Sequence, residues 1–164
     1  NQARKWSTQA RENAAWYQHE EVGYNYRLTN VQAALGLAQM EQLEGFIAHK
    51  NEMYDFYFER LNGRHGYGIM PFRAGVRCNK WFYSLYVYDE CPLRRDDIIR
   101  ALAAEKIQTR PIWGLIQDQA DYPKNEHYGE ELARHYLARI VNLPCSTSLT
   151  KEDARRVADT LLAL

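Results

Sequence analysis

A proline-free run from Thr29 to Leu61, TNVQAALGLAQMEQLEGFIAHKNEMYDFYFERL, constrains this chain more than any other feature. Thr29 and Gln32 have the S/T-x-x-E/Q spacing of a capping box, and Leu28 and Ala33 can close a hydrophobic staple around it. Met40, Leu43, Ile47, Tyr54, Tyr57 and Leu61 recur at the spacing of one helical face. Asn62-Gly63 supplies the stop. At 1.5 Å per residue the helix would reach roughly 45–50 Å, against a typical length of about 11–12 residues. A helix this long is expected to bridge two bodies, with Gly45 the natural place for a bend.

The flanking segments differ in texture. Residues 1–28 are polar with scattered aromatics (Trp6, Trp16, Tyr17, Tyr24, Tyr26) and keep neither a helical nor a strand period, so an extended arm is expected. After Gly63, short elements alternate. Tyr67–Phe72, Trp81–Tyr88, Ile107–Trp113 (stopped near Pro111) and Val141–Leu143 read as strands, the second apolar on both faces and therefore central in its sheet. Arg94–Ala104 reads as a helix with Ile98, Ile99 and Leu102 inward, and Tyr128–Ile140 as another carrying Leu132, Tyr136 and Ile140. Thr150 caps a last helix with Ala154, Val157 and Leu161 facing in. The pattern predicts an α/β (α+β) sandwich with helices on one face of the sheet. Its parts would be an arm (1–28), a bridging helix (29–62) and a small C-terminal domain (63–164).

Composition narrows the function classes. Twenty-one Lys and Arg balance 21 Asp and Glu, so no net positive field gathers nucleic acid or an anionic membrane. The aromatic run WFYSLYVY could stack RNA bases, but the recognition-motif signature is missing. Three cysteines without a C-x-x-C argue against a disulfide framework or zinc site and fit a reducing cytoplasm. No apolar run is long enough to span a bilayer. The missing initiator methionine suggests a piece of something longer.

Three constellations could carry chemistry. Asn25 and Arg27, within GYNYRLTN, precede the start of the long helix, whose N–H groups and dipole favour an anion. They could form a phosphate clasp; equally, Arg27 could pair with Glu20 or Glu21 while Tyr24 and Tyr26 pack on the helix. Arg110 and Trp113, in TRPIW at a strand end, suit an anionic or planar ligand, or else Trp113 is core and Arg110 a surface ion pair. His127, Glu131 and His135 share a helix face, but H-E-x-x-H is absent and a solvated face explains them. Neither a G-x-S-x-G, a dinucleotide-binding G-x-G-x-x-G nor a P-loop occurs. Cys145, after Pro144, is expected as a small buried residue.

Four ordered blocks, EVGYNYRLTNVQAALGLAQMEQLE, NKWFYSLYVYD, KIQTRPIWGLIQDQADY and VNLPCSTSLTKEDARRVADTL, resemble the vitamin B6-dependent sugar aminotransferases of the DegT/DnrJ type. NKWFYSL and TRPIWGLI resemble the branch that aminates a 4-keto nucleotide sugar, as in the synthesis of bacillosamine- or legionaminic-acid-type surface sugars. The resemblance implies a fold type I homodimer with active sites at the subunit interface, using pyridoxal phosphate (PLP) and an amino group from glutamate. It implies that Asn25 and Arg27 reach in trans to the cofactor phosphate. Tyr24 and Tyr26 would shape the entrance, and Arg110, Trp113, Gln117 and Tyr122 would border the nucleotide-sugar pocket.

The chain also departs from the family pattern. Lys5 is followed by Trp6-Ser7-Thr8, not by the Thr/Gly-rich tract of the family's Schiff-base lysine, and Lys50, Lys80, Lys106, Lys124 and Lys151 lie beyond the arm. The catalytic lysine is therefore expected on sequence preceding residue 1, and the chain alone is expected neither to hold PLP covalently nor to transaminate. The other possibility is a stand-alone, non-catalytic remnant or dimerisation module of the same ancestry. Lys106 stands where the family often has Gly to end its helix, and Gln117 where many relatives have His.

Overall fold

Thr29 caps the long helix as its sequence dictates. In a computed structural model, which describes residues 1–122 and 126–164, the Gln32 amide N–H donates to Thr29 Oγ1 (3.3 Å) and Gln32 Oε1 accepts from the Thr29 N–H (2.9 Å). This helix, α2 (Asn30–Leu61), runs without interruption through Gly45. Among the expected lysines, Lys124 lies outside the described residues. The chain divides into two compact units, Asn1–Leu43 and Glu44–Leu164.

The first unit is not the extended arm its composition suggests. It opens with a short helix, α1 (Gln2–Trp6), and then folds back on itself. The Tyr24 N–H donates to Trp6 O (2.7 Å), the Gln9 N–H to Tyr24 O (2.9 Å) and the Tyr26 N–H to Ser7 O (3.0 Å). Gln9 and Ala10 turn through positive φ (66° and 52°) to permit this pairing. Gly23 is required there, because a Cβ would fall 2.2 Å from the Ala10 nitrogen. Glu21 locks the fold by accepting from the Trp6 indole (2.8 Å) and pairing with Lys5 (3.1 Å).

The second unit is built on a four-stranded antiparallel sheet. Its strands β1 (Tyr67–Ile69), β2 (Tyr83–Val87), β3 (Arg110–Pro111) and β4 (Ile140–Leu143) lie in the order β1-β2-β4-β3. As predicted, β2 is internal, paired with β1 through Leu85↔Ile69 and with β4 through Leu85↔Val141. It starts later than expected, however, and only Tyr83, Leu85 and Val87 are buried, while Ser84 and Tyr86 on the other face are half-buried. The buried face packs against the C-terminal half of α2 (Met53, Tyr57, Leu61), against α3 (Arg95–Ala104; Ile98, Leu102) and against α5 (Lys151–Leu162; Ala154, Val157, Leu161). The short α4 (Glu131–Leu137) meets the opposite face, where the Tyr86 hydroxyl and His135 Nε2 lie 2.7 Å apart. Helices therefore do not occupy one face alone.

Local signals account for the helix ends. The Thr150 side chain accepts from the Asp153 N–H and caps α5. At the end of α3, the Lys106 N–H donates to Ala103 O (3.0 Å) and the Ile107 N–H to Leu102 O (2.9 Å), a Schellman motif with Lys106 in the left-handed region (φ 60°). Lys106 thus takes a left-handed position that glycine adopts without steric cost, with a strained backbone. Other expectations fail, among them Ile140, which opens β4 instead of lying on the helix expected over Tyr128–Ile140. Only Arg110–Pro111 of Ile107–Trp113 is strand: it stops at Pro111 as expected, since proline lacks the N–H that a continuing ladder needs, but it starts only at Arg110. Leu132 is exposed, since α4 begins only at Glu131 and is too short to turn it inward. Cys145 is half-buried, lying just beyond β4 where the chain leaves the sheet. No helix among the described residues is long and apolar enough to cross a membrane.

Candidate functional site

The first unit leaves Asn25 and Arg27 exposed. The ion pair of Arg27 with Glu20 or Glu21 does not form: Glu21 is taken by Lys5, Trp6 and Gln2, and Glu20 accepts from Gln18. Among the described residues, the side chains of Asn25 and Arg27 have no hydrogen-bond or ion-pair partner. Both line an open hollow of about 580 Å³ with Thr8 and Arg11. Glu12, which also lines it, is engaged by Lys5. Two residues on, the capped start of α2 leaves the Asn30 and Val31 N–H groups without intrahelical partners. Asn25, Arg27 and Arg11 thus bring donors suited to an anion to one hollow. Tyr24 and Tyr26 do not pack on the helix; their rings stack on each other (centroids 5.3 Å apart, 10° between planes). They line a second, apolar hollow of about 540 Å³ with Trp6 and Val22.

In the second unit Arg110 lies on β3, at the edge of the sheet, and Trp113, Gln117 and Tyr122 follow it along the chain. Trp113 is not core: it is 64% exposed and meets Phe82 edge-to-face at 5.0 Å and Trp81 at 6.0 Å. Sequence reading missed Trp81 and Phe82 as its neighbours because it absorbed both into β2. Arg110, also exposed, has no ion pair among the described residues, and its backbone pairs with Asn142. Gln117 Nε2 donates to Glu130 Oε2 at 2.7 Å. Arg134 binds Glu130 through Nε (2.9 Å) and forks onto Asp118 (3.1 and 3.0 Å). Arg134 and Gln117 together hold the Glu130 carboxyl at a pKa of about 2. Tyr122 is 46% exposed, and its N–H donates to Gln119 O.

Several other ionisable groups have structural partners. Lys5 is paired with Glu12 and Glu21, Lys80 with Asp55 and Lys151 with Glu52. Lys50 is buried, donating from Nζ to the Trp81 and Cys145 carbonyls, and burial pushes its pKa down. It ties the approach to β2 to the exit of β4, a role no sequence signal announced. His135 is engaged by Tyr86, and His127 by Glu130. Among the described residues no cluster of His, Cys, Asp and Glu could hold a metal ion.

The DegT/DnrJ/EryC1/StrS aminotransferase family model matches residues 1–162. The chain belongs to that family. It is 32% identical over 166 aligned positions to EpsN of Bacillus subtilis (strain 168), assigned as a pyridoxal phosphate-dependent aminotransferase; the match covers 99% of this chain and 42% of EpsN. It is 29% identical to GDP-perosamine synthase of Escherichia coli O157:H7, over 88% of this chain and 38% of that enzyme. The fold matches the aminotransferase TlmJ of Streptoalloteichus hindustanus with a TM-score of 0.83 at 20% identity, over 99% of this chain and 43% of TlmJ. The chain therefore spans about 40% of the length of the relatives it matches, and the family to which it belongs is PLP-dependent.

Proposed function

We propose that this chain is the C-terminal arm, helix and small domain of a cytoplasmic, homodimeric, PLP-dependent aminotransferase. The whole enzyme transfers an amino group from glutamate to a keto nucleotide sugar destined for bacterial surface polysaccharide. Family membership supports the reaction class, and the likeness to a GDP-perosamine synthase supports the nucleotide-sugar substrate. The observation that carries the reading is the pair Asn25 and Arg27, exposed and unpartnered among the described residues at the start of α2.

An amide and two guanidiniums (Asn25, Arg27 and Arg11) lining one hollow suit a phosphate, with Glu12 in the same hollow paired with Lys5. Bound PLP supplies the electron sink for amino transfer. The arm's part is to hold the phosphate of a cofactor carried by the other subunit. Arg110, Trp113, Gln117 and Tyr122 border the sugar-nucleotide side, and Tyr24 and Tyr26 the entrance.

Complementation tests the arrangement. One full-length chain lacks its Schiff-base lysine; the other carries Asn25→Ala and Arg27→Ala, expected to weaken PLP binding at least about tenfold. Each homodimer is impaired, but a mixed dimer regains one intact site, uniting the lysine of one chain with the arm of the other. Activity in the mixture no higher than in the parents would show that the arm does not serve its neighbour.

A further inference from the structure

A glutamine amide has a donor end and an acceptor end, and the end it presents decides which ligand it takes. At Gln117 the surroundings settle the orientation. Glu130 is fixed as an acceptor: Arg134 Nε donates to its Oε1, His127 Nδ1 lies 3.0 Å from its Oε2, and the carboxyl stays ionised down to about pH 2. A carboxylate has no proton to give, so only the NH2 end of Gln117 can face it, at 2.7 Å. The Oε1 end is then turned elsewhere, and among the described residues it has no partner. Arg134 anchors Glu130 from the start of α4 and Asp118 from the turn that carries Gln117. The carboxylate that holds the amide is thereby tied, through Arg134, to the turn that carries Gln117.

We propose that Glu130, backed by Arg134 and Asp118, is a positioning residue that presents Gln117 Oε1 as an acceptor, so that this point of the site selects a sugar hydroxyl or amide N–H. A phosphate or carboxylate, having only acceptors, is disfavoured there by Oε1 and by the Glu130 charge behind it. The proposal rests on the reading that Gln117 borders the nucleotide-sugar pocket.

The test measures binding of UDP-N-acetylglucosamine, GDP-mannose and dTDP-glucose to the full-length enzyme by calorimetry. Gln117→Leu is expected to weaken the best-bound probe about 3- to 10-fold, the range for one hydrogen bond. Glu130→Leu should weaken it by a similar factor, and the double variant no further than either single one. A role for Glu130 in folding alone would instead make the losses multiply, and that outcome would overturn the proposal. Unchanged binding by Gln117→Leu, with a wild type that binds, would also overturn it while sparing the nucleotide-sugar reading. A wild type that binds none of the three probes would remove that reading and this proposal together.

Discussion

Within α2, Val31, Leu35, Leu37 and Met40 are each between 62% and 70% exposed, whereas Met53, Tyr54, Tyr57 and Leu61 are buried. The two stretches are similarly apolar and belong to one helix, yet only the second has a sheet and two other helices to bury it. The same contrast separates the two units. Residues 44–164 are organised around a contiguous apolar core. Residues 1–43 bury only Ala10 among their apolar side chains and are held by backbone pairing and the charges around Glu21. On the function proposed above, this exposed apolar stretch is the surface that meets another polypeptide.

The largest effects should fall on the core side of that contrast. Tyr57→Ala removes a fully buried ring and should cost about 3–5 kcal/mol in urea unfolding of the chain. Leu35→Ala should stay within about 0.5 kcal/mol. Comparable losses at both positions would erase the distinction. Tyr57→Phe sharpens it further: the hydroxyl is buried without a partner among the described residues, so its removal should leave stability unchanged or higher.

An intermediate effect is expected at the end of α3. Lys106 has taken the left-handed position that glycine adopts without steric cost. Lys106→Gly should therefore raise stability by about 1 kcal/mol or less. A loss of stability would mean that the Lys106 side chain contributes more than its backbone strain costs.

What was legible in the sequence follows from the range of the forces involved. The caps of α2 and α5 lie within four residues of their partners and were read correctly, as was the internal position of β2. The fold of residues 1–28 was not legible, because it rests on pairs such as Tyr24 with Trp6 and on positive φ at Gln9 and Ala10, residues that do not advertise it. The stop of β3 near Pro111 was legible from the missing proline N–H, whereas its start was placed too early by counting the apolar Ile107. At the candidate site, the exposure of Asn25 and Arg27 could be anticipated from their position ahead of a helix cap. The Glu130–Arg134–Asp118 clamp on Gln117 could not, since it joins residues 13 and 16 positions apart across irregular chain.

The smallest effect separates the units by their response to pH. Glu21 has a carboxyl pKa held below its ordinary value of 4.5, first by the Trp6 indole N–H and then by Lys5. A depressed carboxyl stabilises the fold above pH 4.5, and the contribution disappears as pH falls from there through the folded-state value. Lys5 has its pKa raised above 10.5, chiefly by Glu12 and then by Glu21, so its contribution is present below pH 10.5 and is lost as pH rises through the folded-state value. The first unit should therefore be tightest across the interval between, and it should loosen at both ends. In an NMR titration the Trp6 indole N–H resonance should shift with a midpoint below 4.5, while methyl resonances of Leu85 and Val141, buried in the sheet, hold their positions over the same steps. A Trp6 resonance indifferent to acid would show that Glu21 does not hold the fold-back, and the charge-bonded account of residues 1–43 would fail with it.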